Sequence, residues 1–330
     1  MVSKEAQAII DSLRAGKKAG FEARRAVAES GQNPLLAEIE GIYRQRREGD
    51  ENARNRPLPD GLTLSYTNAD GVPGEWLRTL PIDPGKLPER AILFLHGGGF
   101  TTGSALSRRF MAAGIAHHAK VDSFAINYRK CPEYRFPAHL MDCVTAFLWL
   151  VKEGYRPEHI TVIGESAGAN LAVCLPLFLR DRGLPVPGGV CAVSPVVDLD
   201  GRYDSRVLRA NRDPMIGEFF DEDRLEDILR EFKTASAQPD LSLYCTPEEC
   251  KSPYASPIHG DFTGFPRLMI QVGTEEILYD DSIELEKKAR EAGVDVKLHI
   301  WPELFHCFSL FDMPEGDEVR REIAAFVRGE

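Results

Sequence analysis

The sequence lacks the features of a membrane, secreted or nucleic-acid-binding protein. No run of its 330 residues reaches the roughly 18 apolar residues of a membrane span, so no stable membrane association is expected. The first twenty residues carry charges throughout and lack the apolar core of a secretory signal, which favours a cytoplasmic location. Basic residues number 40 against 51 acidic ones. The net charge of -11 therefore predicts no nucleic-acid partner, because phosphate binding needs a basic surface.

Cysteine is present but is not arranged as a metal site or a disulfide framework. The seven cysteines are odd in number, and none has the C-x-x-C or zinc-finger spacing. Cys174 and Cys191 lie in apolar runs, as small core residues do. The pattern indicates a reducing compartment and predicts no metal site.

From residue 91 onward, short apolar runs alternate with longer helix-like stretches. The strand candidates are Ala91–Leu95, Ser123–Tyr128, Ile160–Ile163, Val190–Ser194, Leu268–Val272 and Val296–Trp301. The helix candidates between them are Arg108–Lys120, Ala138–Lys152, Asn170–Arg180 and Asp281–Ala292. Nearly continuous apolar strands are typical of a parallel sheet covered on both faces. The alternation predicts a doubly wound α/β fold with a mostly parallel central sheet flanked by helices.

Two regions depart from this alternation. Residues 1–50 have apolar residues at helical spacing, and we expect them to form N-terminal cap helices. Residues 200–255 are charged and interrupted by prolines, with one amphipathic stretch around Asp221–Lys233. We expect this insertion to be a cap or lid rather than a surface decoration, because its aromatic residues need something to cover. Residues 51–199 and 256–330 then form one catalytic α/β domain.

A short glycine motif lies between a strand candidate and a helix candidate. Residues 164–168 read Gly-Glu-Ser-Ala-Gly, the spacing G-x-S-x-G. On a strand-to-helix turn this spacing predicts a nucleophilic serine, Ser166. The Ala167 amide would lie at the helix N-terminus, where free N–H groups favour developing negative charge.

Three successive glycines follow the first strand candidate, in His-Gly-Gly-Gly-Phe at residues 96–100. Such a run is entropically costly unless the backbone must approach something closely. A tight turn would need only one or two glycines, whereas an oxyanion hole accounts for all three. A phosphate-binding loop is not indicated, because neither the spacing G-x-x-x-x-G-K-[ST] nor the spacing G-x-G-x-x-G is present here. We predict that the amides of Gly97, Gly98 and Ala167 hold an oxyanion.

A serine nucleophile needs a base, and the base needs an acid that orients it. His299 belongs to an alternating strand and should face away from the apolar side, and His259 lies in a proline-rich stretch. His306 lies in the loop after the last strand candidate, and we predict that it is the base. The residues leave the acid open among four carboxylates: Glu275, Glu276, Asp280 and Asp281.

Together these segments resemble the hormone-sensitive-lipase family of esterases, within the α/β-hydrolase fold. The family carries an HGGG oxyanion motif, a GDSAG elbow and a late H-x-F histidine, which correspond here to HGGGF, GESAG and His306-Cys307-Phe308. Residues 128–138 resemble the family's segment YRLAPE followed by FPA. Ser194-Pro195 and the later Asp198 resemble the family's segment in which SP is followed by an aspartate. The resemblance runs from about residue 91 to the C-terminus.

The resemblance also selects an acid. The family's acid stands in G-x-x-D-x-L-x-D, and the pattern laid on Gly273 places it at Glu276, with Leu278 and Asp280 at the later positions. Glutamate replaces the commoner aspartate, so Glu275 and Asp280 stay minor candidates. Glutamate likewise replaces aspartate at Glu165 of the elbow.

The resemblance implies a serine carboxylesterase for small, short-acyl esters that acts through an acyl-enzyme. Its catalytic residues would be Ser166, Glu276 and His306, with a small-molecule ester as partner and no cofactor. One alternative is the same machinery acting on an amide, lactone or carbamate. Another is a non-catalytic small-molecule receptor, which is less expected because such receptors lose the histidine. An edge strand near the C-terminus would also allow a homodimer.

Overall fold

One eight-stranded sheet lies at the centre of the described residues. The computed structural model describes residues 2–29, 31, 33–81, 88–201, 203–218, 220, 222–234 and 243–330. The strands in these residues are β1 Leu62–Ala69, β2 Val72–Thr79, β3 Ala91–Leu95, β4 Asp122–Ile126, β5 Ile160–Glu165, β6 Gly189–Val193, β7 Arg267–Gly273 and β8 Val296–Trp301. They form one sheet in the order β1-β2-β4-β3-β5-β6-β7-β8. The pairs β1–β2 and β2–β4 are antiparallel, and all the others are parallel. The predicted mostly parallel α/β sheet is confirmed.

Helices cover both faces of this sheet. Over the described ranges they are α1 Lys4–Glu29, α2 Pro34–Arg54, α3 Ala105–Ala119, α4 Ala138–Lys152, α5 Ala167–Arg180, α6 Ser205–Leu208, α7 Leu225–Thr234, α8 Tyr279–Glu291 and α9 Pro314–Arg328. Alternate residues of β3 point to opposite faces. Leu93 and Leu95 join a core with α4, α5 and α8, whereas Ile92 and Phe94 join a second core with α3 and α9. Two buried layers therefore hold the strand ends in place.

The hairpin of β1 and β2 is absent from the sequence-based prediction, which begins at residue 91. Its two-residue turn has positive φ at both Asp70 (49°) and Gly71 (108°), as a type I′ turn requires. β1 is an edge strand and is only partly buried, so it has no continuous apolar run. The Asp-Gly pair between alternating residues was the available signal for this hairpin.

The two regions outside the α/β alternation contain helices in their described parts. α1 and α2 precede the sheet, and α2 continues beyond the predicted boundary at residue 50 to Arg54. The insertion at residues 200–255 contains α6 and α7. Asp221, at the start of the predicted amphipathic stretch, lies outside the described residues. In the part of the chain that can be described, no helix is both long enough and apolar enough to cross a membrane.

Candidate active site

Ser166 lies at the sharp turn between β5 and α5. Its backbone has φ 55° and ψ -121°, a conformation that residues other than glycine rarely adopt. The Ser166 amide donates to the Val193 carbonyl at 2.8 Å, which fixes the turn against β6. A Cβ on Gly164 would lie 2.1 Å from the Gly168 oxygen, and one on Gly168 would lie 2.1 Å from the Leu95 oxygen. Both glycines of the motif are therefore required by close backbone approach.

Three side chains from separate loops form a continuous hydrogen-bonded chain. His306 Nε2 lies 3.0 Å from Ser166 Oγ, and His306 Nδ1 lies 3.1 Å from Glu276 Oε2. His306 follows β8 and Glu276 follows β7, so parallel neighbouring strands bring both to one sheet edge. If Nδ1–H donates to the carboxylate, the lone pair of Nε2 faces the serine hydroxyl. Ser166 is partly exposed while both partners are buried, so a substrate has access to the hydroxyl.

The Glu276 carboxylate is held by two further donors. The Gly273 amide donates to Oε1 at 2.6 Å, and Ser194 Oγ donates to the same oxygen at 2.9 Å. Ser194 Oγ in turn accepts from the Cys307 amide at 3.1 Å. Ser194, at the end of β6, therefore ties the loop carrying the acid to the loop carrying His306.

The other three carboxylates considered from the sequence have different partners. Glu275 accepts from Thr274 Oγ1, Asp280 accepts from the Ser205 amide at 2.9 Å, and Asp281 pairs with Arg206. Within the described ranges, Glu276 is the carboxylate of the four that contacts His306.

The two other downstream histidines are also engaged away from Ser166. His299 Nδ1 lies 2.8 Å from Glu322, and His259 Nε2 lies 3.9 Å from Asp198. Neither pair contains a residue of the hydrogen-bonded chain. The structure thus brings together Ser166, His306 and Glu276.

The charges around His306 favour its protonated form. Burial alone would lower the pKa of His306, but the hydrogen bond and negative charge of Glu276, with Asp213 and Glu165 nearby, raise it overall. Burial raises the pKa of Glu276, against the lowering effect of its bonds to His306 and the Gly273 amide. The two groups form a coupled pair in which the carboxylate stabilises an imidazolium.

The structure differs from the oxyanion prediction at Gly97. Its amide N–H donates to Glu165 Oε1 and is therefore already bonded. The next two glycines turn the loop, with φ 117° at Gly98 and 59° at Gly99. In the described parts of the chain, the amides of Gly98, Gly99 and Ala167 have no hydrogen-bond acceptor. Gly98 and Ala167 stay predictions, and Gly99 takes the place of Gly97 as a free donor.

Glu165 connects the serine turn to the glycine loop. Besides the Gly97 amide, its buried carboxylate binds Arg108 Nε at 2.7 Å and accepts from Cys307 Sγ at 3.3 Å. Burial raises the pKa of the Cys307 thiol, which keeps it a donor. Sequence analysis treated Glu165 as a conservative replacement. The structure shows that this side chain holds the glycine loop beside Ser166.

Comparisons with known proteins show which proteins this chain is similar to. The model of a family described as alpha/beta hydrolase fold matches residues 92–310. An acetyl-hydrolase of Streptomyces hygroscopicus is 35% identical over 274 residues, 82% of this chain and 83% of that protein. The crystal structure of EstE5 soaked with p-nitrophenyl butyrate has TM-score 0.77 and 30% identity, covering 99% of this chain and 98% of its own. An esterase of the bacterial hormone-sensitive lipase family has TM-score 0.72 and 31% identity, covering 91% and 99%.

Proposed function

Because this chain belongs to the hormone-sensitive-lipase family of the alpha/beta hydrolase fold and is a carboxylic ester hydrolase, we propose that it acts through a Ser166-His306-Glu276 triad. The observation that carries the proposal is the continuous chain from Ser166 Oγ through His306 to Glu276, at 3.0 and 3.1 Å. Both distances lie within the hydrogen-bond reach of about 2.6–3.2 Å that a nucleophile, its base and the group that orients the base require.

In the first half of the reaction, Ser166 Oγ attacks the ester carbonyl while His306 Nε2 accepts its proton. The carbonyl oxygen becomes an oxyanion in the tetrahedral intermediate. The free amides of Gly98, Gly99 and Ala167 are the donors that support this step, and each such donor is worth about 2.7–4 kcal/mol of barrier. His306 then gives its proton to the leaving alcohol, which leaves an acyl group on Ser166.

In the second half, water replaces the alcohol. His306 Nε2 takes a proton from water, whose oxygen attacks the acyl carbonyl, and a second tetrahedral intermediate collapses to release the carboxylic acid. The proton returns from His306 to Ser166 Oγ. Glu276 does not itself take the proton but stabilises the imidazolium in both halves.

We infer a preference for short acyl groups and small alcohols. The support is the identity to an acetyl-hydrolase and the family resemblance of the site. Amides, lactones and carbamates pass through the same tetrahedral chemistry, so they are the alternative substrates. The similarity to an acetyl-hydrolase and the contact between His306 and Glu276 argue against a receptor without activity.

A series of p-nitrophenyl esters tests the acyl preference. We expect the highest kcat/KM between the acetyl and hexanoyl esters, with Ser166→Ala as the blank. A maximum at long acyl chains would contradict the preference but not the triad. Matched anilides, lactones and carbamates in the same assay separate the ester from the alternative bonds.

We further propose that residues 1–50 and 200–255 act as a cap over the site. Arg46 of α2 donates to the carbonyls of Thr101 and Cys131 and pairs with Glu133, next to the glycine loop.

We also propose a homodimer, because β8 is an edge strand of the described sheet and could pair with a second copy. Light scattering with size-exclusion chromatography would distinguish a dimer from a monomer.

A further inference from the structure

Asp213 is a fully buried carboxylate outside the proposed triad. It lies in the 200–255 insertion, between α6 and α7, and is 0% exposed. Its Oδ1 accepts from the amides of Met215 at 3.0 Å and Ile216 at 3.4 Å, and its Oδ2 accepts from the Ile277 amide at 3.2 Å. A buried charge is costly unless hydrogen bonds compensate it, and these amides supply that compensation.

The bond to Ile277 connects the insertion to the loop that carries the acid. Ile277 directly follows Glu276, and the two contacting residues are 64 positions apart in sequence. Ser205 of the same insertion donates its hydroxyl to the Ile277 carbonyl at 2.8 Å. Both backbone groups of Ile277 are therefore held by the insertion. The position of the Glu276 carboxylate depends on these contacts because so short a loop cannot move at one residue alone.

The charge of Asp213 also acts on His306. Burial lowers the pKa of His306, and Asp213 acts with Glu276 and Glu165 to raise it overall. Glu165 is compensated by its ion pair with Arg108, and Glu276 bonds the imidazole directly. The Cys307 thiol also lies near the imidazole, with Sγ 3.3 Å from His306 Nε2, and it is neutral because burial raises its pKa.

The N-terminal helix contacts the same loop. Lys17 of α1 donates through Nζ to the carbonyls of Ala210 and Asp213, each at 2.9 Å. Burial lowers the pKa of Lys17, with the charge of Asp213 acting in the opposite direction. The two regions proposed as the cap therefore meet at Asp213, which is itself hydrogen-bonded to Ile277 of the loop that carries Glu276.

We infer that Asp213 is a positioning residue for the hydrolytic reaction, which holds the Glu276 loop through the Ile277 amide and adds a buried carboxylate to the surroundings of His306. The inference rests on the proposed Ser166-His306-Glu276 triad. It assigns to the insertion a part in the chemistry of the reaction, in addition to covering the site.

The test is the pH dependence of kcat/KM for p-nitrophenyl acetate in Asp213→Asn. Loss of the negative charge destabilises the imidazolium, so the acid limb should move to lower pH. Asparagine cannot accept on both sides, so the Ile277 bond or the Met215 bond is lost. We expect the plateau kcat to fall on the order of 10- to 100-fold, as when a catalytic group is slightly misplaced. A purely structural role would lower the plateau and leave the acid limb in place.

Three further variants make the test decisive. Asp213→Ser is neutral but can form the equivalent turn to the amides two and three residues on, so it carries the prediction if the asparagine variant unfolds. Asp213→Glu retains the charge and should keep the acid limb at the wild-type position. Asp280→Asn is the matched control, since Asp280 is a carboxylate that binds the Ser205 amide of the same insertion.

An acid limb that stays in place in the folded neutral variants would overturn the inference, as would an equal shift in Asp213→Glu or Asp280→Asn. Such a result leaves the proposed function intact if Ser166→Ala is inactive. Full turnover by Ser166→Ala would instead refute the triad itself. The two failures are therefore distinguishable in one assay.

Discussion

Replacement of Glu276 by glutamine changes one atom of the proposed triad and leaves its volume unchanged. In the wild-type protein, Oε1 of Glu276 accepts from the Gly273 amide and the Ser194 hydroxyl, and Oε2 faces His306 Nδ1. The glutamine carbonyl must remain where the two donors are. Its NH2 group then faces Nδ1 and can only donate, so the imidazole proton moves to Nε2.

That tautomer places a proton between His306 and Ser166 Oγ, where the base needs a lone pair. The equivalent change in a serine protease triad lowers kcat by about 10⁴. A factor of 10⁴ corresponds to about 5.4 kcal/mol of activation free energy. We therefore expect Glu276→Gln to lose about four orders of magnitude in kcat with little change in KM. Glu276→Ala should lose at least as much, because it also leaves His306 without its partner.

The assay is steady-state hydrolysis of p-nitrophenyl acetate at the plateau of the pH profile. Glu275→Gln and Asp280→Asn are the controls, since these side chains bind Thr274 and Ser205 instead. Both should stay within a few-fold of the wild type. Activity of Glu276→Gln within about ten-fold of the wild type, or an equal loss in either control, would refute the reasoning.

Three other predictions concern the surroundings of the site. Glu165→Gln removes the buried negative charge that pairs with Arg108 and should lower the free energy of unfolding by about 3–5 kcal/mol in urea titrations, so a loss below about 1 kcal/mol would contradict it. Arg46→Ala removes the ion pair with Glu133 and should speed limited proteolysis within α1 and α2, and an unchanged cleavage rate would argue against this anchor. In the wild type, the acid limb of kcat/KM should lie above the ordinary histidine pKa of about 6.5, because the pKa of His306 is raised and the protonated imidazole cannot act as a base. An acid limb below that value would contradict a raised pKa of His306.

Continuous apolar strands were predictable because both of their faces are buried. β3 has the predicted bounds, as does the alternating, partly buried strand β8, and β5 continues by two residues into the serine turn to Glu165. β1 was missed because it is a half-exposed edge strand, and β2 was missed because it pairs with β1 through a short turn. The Asp70-Gly71 dipeptide carried the signal for that turn, but the apolar-run criterion does not weigh turn residues.

Ser166 could be predicted from its glycine motif, and His306 from its position in the loop after the last strand candidate. Four neighbouring carboxylates could not be separated from the residues alone, since the inward direction of Glu276 depends on the Gly273 amide and on β6. Which amides of the triple-glycine loop are free to donate depends on the backbone angles φ and ψ, and these cannot be read from the sequence. Asp213 is 64 residues from its Ile277 contact, and no local pattern connects them.

The most direct test of the account is the turnover of p-nitrophenyl acetate by Ser166→Ala. Removal of Oγ leaves His306 and Glu276 in place but takes away the atom that forms the acyl-enzyme. We predict that hydrolysis falls to the residual level that the oxyanion donors and binding supply, about 10³–10⁴-fold over the uncatalysed rate. Full turnover by the folded Ser166→Ala variant would contradict it.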